Sequence, residues 1–306
     1  MKNILSFIML SLCTAFVACS DNDDSNSYDP DTAKSAYSPL PGRKVASLKT
    51  TYTRDGRDYS CEHNFSYDAQ GRVKDISSRL VRYVKYYDGK SYLCNITSKA
   101  TYIYKGDELE IDYSISSIYP DALQLNDNVS GKDRGIFTAT GYLSSFVSDI
   151  VGVGTDFIYS ANGRNLTEAY SDGGVTYVIS RDNKGNITGY RRNDENNGEV
   201  AVTDRSGNLG YSSSSTNRNN TNFDFSGYFG YWGVEERFYA TQVPFYAAYQ
   251  LAAFGMLGST SPYLPSSEYM SESGRLEDGD WEFDSRGCPL SYESPTGPRT
   301  EITYVD

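Results

Sequence analysis

Alternating apolar and polar positions, the pattern of strands with one buried face, recur along this chain in one phrase. The phrase is aromatic-x-aromatic-Asp-x-x-Gly-x-apolar, and its clearest copy runs from Phe65 to Val73. A segment at 101–115 lacks the phrase but alternates in the same way. Further copies of the phrase, with serine replacing aspartate once, lie at 157–166, 179–190, 203–209 and 281–292.

Each part of the phrase has a conformational role. The alternating aromatics place two large side chains on one face of a strand. Aspartate can accept hydrogen bonds from backbone amides of the turn, and glycine supplies the positive φ that closes a type I turn with a bulge. The phrase therefore predicts a mainly β protein, a twisted antiparallel meander of repeated hairpins. The pattern leaves open whether the sheet stays open, closes into a barrel or forms a sandwich.

One insertion, at about 220–265, interrupts the hairpins and is dense in aromatic residues. It contains the best helix candidate of the chain, Pro244 to Leu257, because proline suits the first turn and Gly258 suits the end. The apolar stripe of this helix, which includes Ala252 and Met256, is expected to be core. We predict that the insertion packs on one face of the sheet, since such a face must be covered.

The amino terminus predicts export and lipid attachment. Lys2 precedes an apolar segment, 4–17, whose length suits a signal peptide and is too short for a stable transmembrane helix. Small residues then lead to Cys19, which matches a lipobox, although Phe16 stands where leucine is usual. In a lipobox the cysteine thiol is diacylated and the residue becomes the new amino terminus. Acyl chains on Cys19 would hold the protein durably to a membrane.

The hairpins resemble the YD repeats of RHS-type proteins. More closely, the layout from Lys44 to Asp306 resembles an uncharacterised family of Bacteroidota surface lipoproteins with a domain of unknown function, although 124–149 departs from the pattern. In that family an aromatic, partly helical insertion ends in a Gly-x-x-Ser/Thr-x-x-x-Leu-Pro phrase, which 258–265 matches loosely. The resemblance implies a fold and a location, and it brings no catalytic residues.

The segment after Cys19 carries two further resemblances. The acidic cluster at 20–24 is similar to the signal that sends Bacteroidota lipoproteins to the outer face of the outer membrane. Asp31-Thr32-Ala33 resembles the O-glycosylation site of the same phylum, which would place a glycan on Thr32. We therefore expect an outer-membrane protein that is lipid-anchored and faces the cell exterior. The expected divisions are a signal peptide at 1–18, a lipidated flexible tether at 19–42 and a single hairpin-repeat domain at 43–306.

Charge and cysteine content narrow the possibilities. The chain has 28 Lys and Arg against 40 Asp and Glu, a net charge of −12, so a nucleic-acid partner is not expected, because phosphate binding needs a basic face. Besides Cys19, the mature chain has Cys61, Cys94 and Cys288, an odd number that leaves at least one free. Cys61 and Cys94 lie in neighbouring predicted hairpins, where they could form a disulfide or act as small buried hydrophobic residues.

The insertion also holds the candidate ligand-binding residues, Tyr228, Tyr231 and Trp232. Their rings could form a platform that stacks against a sugar. The alternative interpretation is a plug, in which the same rings are core that covers the apolar face of the sheet. Exposure of the three rings to solvent decides between the two.

Catalytic chemistry has little support. His63 is the only histidine, which excludes multi-histidine metal sites and leaves Ser-His-Asp or Cys-His catalysis dependent on it. It shares a strand face with Phe65 and Tyr67, which favours a packed role. We assign no catalytic residue, no metal and no cofactor. We predict a cell-surface lipoprotein that binds a glycan or a partner protein; the alternatives are a structural or assembly component of the outer-membrane surface and a polysaccharide hydrolase with paired carboxylates.

Overall fold

The structure of the protein is a computed structural model. Residues 1–35 lie outside its described part, so the predicted signal peptide, the lipid site at Cys19 and the glycan site at Thr32 do too. The described residues are 36–86, 88–149, 153–172, 175–194, 201–203, 209–211, 218–230, 250–270, 275–295 and 297–306.

Strands dominate the described part, and they form a 15-stranded sheet and a small 3-stranded sheet. The strands are β1 Val45–Arg54, β2 Arg57–Tyr67, β3 Val73–Lys85, β4 Ser91–Lys105, β5 Glu108–Ile118, β6 Asp127–Phe137, β7 Leu143–Ser148, β8 Val153–Tyr159, β9 Leu166–Ser171, β10 Val175–Arg181, β11 Ile187–Asp194, β12 Ala201–Thr203, β13 Leu209–Gly210, β14 Ser267–Met270, β15 Arg275–Asp278, β16 Asp280–Phe283, β17 Pro289–Glu293 and β18 Arg299–Tyr304.

The large sheet is an antiparallel meander, as the repeated phrase predicts. Consecutive strands pair from β1 to β12, and the carboxyl-terminal strands β16 to β18 add to the free side of β1. The order therefore runs from β12 at one edge to β16 at the other. Within the described strands these two edges do not pair, so the sheet is open.

The sheet coils around the insertion. Trp281 on β16 donates its indole N–H to the carbonyl oxygen of Pro265 at 2.6 Å, and Arg181 on β10 donates to the carbonyl oxygen of Ser259 at 2.5 Å. These strands are 12 positions apart in the sheet, which would be about 58 Å in a flat sheet. The seven residues from Ser259 to Pro265 span at most about 22 Å, because six steps between Cα atoms join them. Strong coiling is what such a wide twisted sheet requires.

The turns of the phrase have the predicted geometry. In the first copy Asp68 Oδ1 accepts hydrogen bonds from the amides of Gln70 and Arg72 at 3.0 and 2.9 Å, and Gly71 has a φ of +82°. The strand register shifts at Tyr67, so a bulge follows the turn. Asp182 and Asp284 accept the same pair of amide bonds in their own turns. The aspartates of the phrase are thus turn-forming residues, which confirms the structural interpretation.

Tyrosine hydroxyls tie neighbouring hairpins together at the same end of the sheet. Tyr67 donates to the carbonyl oxygen of Val45, the first residue of β1, at 2.6 Å. Burial raises the pKa of Tyr67 to about 12, so its hydroxyl is a donor at neutral pH. Four more tyrosines each donate to the carbonyl of the first residue of a strand: Tyr104 to Val73, Tyr159 to Leu143, Tyr211 to Ile187 and Tyr304 to Pro289.

The insertion covers the inward face of the sheet, as predicted. Its described parts contain helix α1, Phe225–Gly230, and a helical turn at 250–253. The buried residues of the insertion belong to the same core as the inward residues of the strands. Those buried residues include Phe223, Phe225, Tyr228, Leu251, Phe254 and Met256.

The predicted helix 244–257 ends earlier than expected. Residues 244–249 lie outside the described part, and the helical turn stops at 253. Gly255 has a φ of +74°, its amide bonds to the Ala252 carbonyl at 2.9 Å, and the Met256 amide bonds to the Leu251 carbonyl at 2.9 Å. This pair of bonds is a Schellman motif. Gly255 is therefore the stop, and the assignment of that role to Gly258 was wrong.

The predicted tether overlaps the fold. Tyr37 is buried, and its hydroxyl donates to the carbonyl oxygen of Phe254 at 2.6 Å. The Ala36 amide bonds to the Gly106 carbonyl at 3.2 Å, at the β4–β5 turn. Residues 36–42 therefore pack along the turn end of the sheet, and this part of the predicted tether is attached to the fold. One aromatic ring, Tyr37, stacks on Tyr104 and Phe137 to hold this segment.

Cys61, Cys94 and Cys288 are buried thiols, and none of the three is in a disulfide. Strand β3 lies between the first two, because Cys61 on β2 faces Leu80 and Cys94 on β4 faces Arg82. A disulfide between Cys61 and Cys94 is therefore not formed, and the alternative interpretation, small buried side chains, is the one that the fold adopts.

Candidate functional site

One of the three predicted platform residues, Tyr228, lies in the core. Tyr228 is 1% exposed and packs edge-on against His63 and at a tilt against Phe223, with ring centroids 6.0 and 5.3 Å apart. A buried ring cannot stack on a sugar, so Tyr228 as a ligand-contacting residue was wrong, and it is part of the plug. Tyr231 and Trp232 lie outside the described residues.

A cleft opens instead on the inward face of β3 to β6. The cleft exists because the register places small side chains side by side. Ser78 faces Ser98 across β3 and β4. Ala100 on β4 and Gly131 on β6 lie on either side of Tyr113 on β5. A Cβ at Gly131 would collide with the Tyr113 hydroxyl, so this ring lies over the glycine.

Apolar and hydroxyl side chains surround the cleft, which encloses about 50 Å³. Gln250 enters it from the insertion and accepts a hydrogen bond from the Tyr102 hydroxyl at 3.1 Å. The lining consists of Ile76, Ser78, Ile96, Ser98, Lys99, Ala100, Tyr102, Ile111, Tyr113, Ile115, Asp133 and Gln250.

Asp133 is the one acidic side chain in this lining. The register places it in a row with Tyr102, Ile111 and Ser148, and it is 5% exposed. Its Oδ1 accepts the Asp149 amide at 3.2 Å. Burial raises the pKa of Asp133 to about 6, against the opposing effect of hydrogen bonds from Ser148 and the Asp149 amide. The carboxylate is therefore mainly charged at pH 7.

Basic side chains do not neutralise this charge. Within the described part of the chain, no ion pair joins Asp133 to a lysine or arginine. The charged neighbour that acts on its pKa is Asp149, which has the same sign. A buried carboxylate is usually paired or protonated. Among the described residues Asp133 is therefore not part of a structural ion pair, and a buried carboxylate with a perturbed pKa beside a cleft is a candidate binding group.

His63 lies next to the cleft and is packed, as its position in the strand suggested. Its Nδ1 is 2.7 Å from the hydroxyl oxygen of Ser78, which lines the cleft, and its Nε2 is 3.2 Å from the Cys61 sulfur. The ring is 1% exposed and stacks on Phe65 at 6.3 Å. This chain of contacts joins β2 to β3 and fixes the Ser78 side chain at the cleft floor.

Metal-binding clusters and membrane-spanning helices are both absent from the described residues. No group of three or more His, Cys, Asp or Glu side chains in that part of the chain is placed to hold a metal ion. Among the helices of the described part, none has the length and apolar character needed to cross a membrane.

Sequence reasoning missed Asp133. It lies in the segment 124–149, which follows neither the phrase nor its aromatic alternation. A signal was present, because Val129, Gly131, Asp133 and Gly135 alternate with the polar residues Ser130, Lys132 and Arg134. A glycine next to an aspartate at inward positions can leave space beside the charge.

Comparisons with known proteins give a fold and no family. No family model matches the chain, and no curated protein matches it. A solved structure described as a porin-like protein from Bacteroides uniformis ATCC 8492 is similar, with a TM-score of 0.56 and 14% sequence identity. The match covers 90% of this chain and 100% of that one. At this low identity, the structural likeness shows a shared fold and nothing more.

Proposed function

We propose that the protein is a lipid-anchored binding module of the outer-membrane surface, with the cleft around Asp133 as its ligand site. The single observation that carries the binding role is a buried, charged carboxylate facing a cleft without a basic partner in the described part of the chain. A membrane location is supported by the signal sequence, the lipobox at Cys19 and the acidic cluster at 20–24. The porin-like neighbour from a Bacteroides species supports the same compartment.

The outward face of β4 to β6 supports attachment through a lipid rather than immersion of this face. Outward positions alternate with the buried ones, and most of them carry charged or other polar side chains, with Ile118 and Ile136 exposed among them. Lys132 bridges Glu110 and Asp112 there, with N–O distances of 3.0 Å to each. Charged side chains in contact with lipid are costly. This surface therefore faces water, and acyl chains on Cys19 supply the membrane attachment.

Cell fractionation tests the location. The full chain expressed in a Bacteroidota host should sediment with outer membranes, and the Cys19→Ala variant should not receive a lipid and should move to the soluble fraction. Labelling of intact cells with a membrane-impermeant reagent should modify the lipidated protein if it faces outward. Normal sedimentation of Cys19→Ala would contradict the anchor.

A ligand screen tests the binding role. The protein without residues 1–18 and with Cys19 replaced by serine is applied to glycan and peptide arrays, together with Ala100→Leu and Thr97→Phe. Ala100→Leu fills the cleft, whereas Thr97→Phe places a large side chain at an exposed position of the same strand. Loss of a ligand only in Ala100→Leu supports the proposal. A ligand that binds all three proteins equally places the site elsewhere.

Two other functions have weaker support. A structural or assembly role is favoured by the burial of Tyr228 and its neighbours, which accounts for these aromatics without any ligand. A polysaccharide hydrolase needs two carboxylates about 5–10 Å apart, and the lining of this cleft supplies one, Asp133.

A further inference from the structure

We propose that the cleft binds the protonated primary amine of an aliphatic ligand, with the ammonium group facing the Asp133 carboxylate. The inference rests on the proposed function, because it names the ligand class of the same cleft.

The charge of the Asp133 carboxylate favours a cationic ligand. Asp133 is 5% exposed, and within the described part of the chain it forms no ion pair. Bringing an anion beside it would add repulsion to the repulsion that Asp149 already exerts. A cation would instead provide the partner that a buried carboxylate lacks. Because buried charges are costly, retaining an unpaired carboxylate is explained by a ligand that pairs with it.

The small volume of the cleft favours a narrow ligand group. The enclosed volume of about 50 Å³ is several times the roughly 10–15 Å³ that a cavity needs in order to hold one water molecule. It accommodates an ammonium group with its adjoining methylene. The cleft is partly open, so the rest of the ligand extends outward.

The walls select an aliphatic primary amine. Ile76, Ile111 and Ile115 offer apolar contacts to methylene groups. A primary ammonium has three donors, and the hydroxyl oxygens of Ser78 and Ser98 can accept in addition to the carboxylate. Aromatic rings within about 6 Å add attraction for a cation.

Isothermal titration calorimetry of the full mature chain tests this inference. The probes are n-butylammonium, butan-1-ol and butyrate, which share a chain and differ in the end group. We expect n-butylammonium to bind at least about tenfold more tightly than butan-1-ol, since a buried charge pair adds that much or more, and butyrate not to bind. Nα-acetyl-lysine N-methylamide distinguishes two sources: binding equal to n-butylammonium indicates a peptide lysine, and weaker binding indicates a free amine.

Substitutions test whether Asp133 is the charged group that binds the amine. Asp133→Asn should weaken n-butylammonium binding at least about tenfold. Asp112→Asn is the matched control, because Asp112 is on the adjacent strand, faces outward and pairs with Lys132 at 3.0 Å; its affinity should not change. Butan-1-ol binding as tight as n-butylammonium, or an unchanged affinity in Asp133→Asn, overturns the inference.

Acidity gives an independent readout. With a pKa of about 6 for Asp133, lowering the pH from 7 to 5 should weaken n-butylammonium binding about tenfold. The other groups around the carboxyl are Tyr102, Ser148, Asp149 and Gln250, and Lys99 also lines the cleft. Of these, Asp149 is the other acid. Asp149→Asn removes it and should keep the pH dependence if Asp133 is the source. If no amine binds but Ala100→Leu abolishes a ligand from the arrays, the inference fails and the proposed function stands.

Discussion

On strand β6, Gly135 lies beneath closely packed side chains, whereas Gly131, four residues earlier, lies at the floor of the cleft. A Cβ at Gly135 would meet the Leu143 side chain at 2.7 Å and the Phe146 ring at 3.3 Å. The atoms nearest to a Cβ at Gly131 all belong to the Tyr113 side chain. The same strands and the same alternation therefore build a tight core at the turn end and a cleft farther along. What differs is the size of the side chains that the register brings together.

The largest effect should come from removing a ring from the packed region. Phe254 is 2% exposed and lies 5.3 Å from Phe65 and 5.4 Å from Phe223, measured between ring centroids. Phe254→Ala should lower the free energy of unfolding by about 3–5 kcal/mol, through lost burial and a residual cavity. Urea denaturation followed by circular dichroism measures this.

Ala100→Leu is the counterpart in the cleft. It adds volume where about 50 Å³ is already open, so the free energy of unfolding should change by less than about 1 kcal/mol. Equal destabilisation by Phe254→Ala and Ala100→Leu would mean that the two regions are equally packed, and the comparison would fail.

The next largest expected effect is a gain in the free energy of unfolding. Burial raises the pKa of Asp133 from 3.8 to about 6, so the folded protein disfavours the charged form. The contribution to stability is unfavourable above pH 6 and is relieved as the pH falls from about 6 to about 4, because the folded state takes up the proton first. Asp133→Asn should therefore stabilise the protein at pH 7 by up to about 3 kcal/mol, since the pKa is raised from 3.8 to about 6 and one pKa unit corresponds to about 1.4 kcal/mol.

Urea denaturation of wild type and Asp133→Asn at pH 7 and pH 4 measures this difference. The gain should shrink toward zero at pH 4, where both side chains are neutral. A gain that does not depend on pH would show that the carboxylate charge is not its source. A more stable variant that has also lost ligand affinity is the signature of a side chain kept for binding.

The meander could be predicted from the sequence because its information is local. Each copy of the phrase contains its own turn, so the aspartate, the glycine and the flanking apolar residues determine a hairpin without reference to distant parts of the chain. Asp68 and Gly71 behave as their positions predict. The coiling of the sheet and the addition of β18 to β1 depend on contacts between remote residues, and no local pattern encodes them.

The site could not be predicted for a related reason. The cleft results from the register of three strands, which places Ala100, Tyr113 and Gly131 side by side although they are far apart in sequence. Aromatic density directed attention to Tyr228, but composition does not tell which way a ring faces. Its burial follows from the inward position of the insertion, which only the tertiary fold determines.

The finest test of the comparison uses the two glycines of β6. Gly135→Ala should destabilise by about 1–3 kcal/mol, because its Cβ would overlap the Leu143 side chain, and the Ser145 carbonyl oxygen is 3.3 Å away. Gly131→Ala should cost less than about 1 kcal/mol, since the end of the Tyr113 side chain can turn away into the neighbouring cleft. Thermal unfolding of both variants measures the difference. Neither glycine has a positive φ, so the effect of the substitution on backbone entropy is about equal at the two positions and cancels. A cost for Gly131→Ala as large as that for Gly135→Ala would mean that Tyr113 is held firmly. The cleft would then be a rigid site, and a ligand would have to fit the space that the ring leaves.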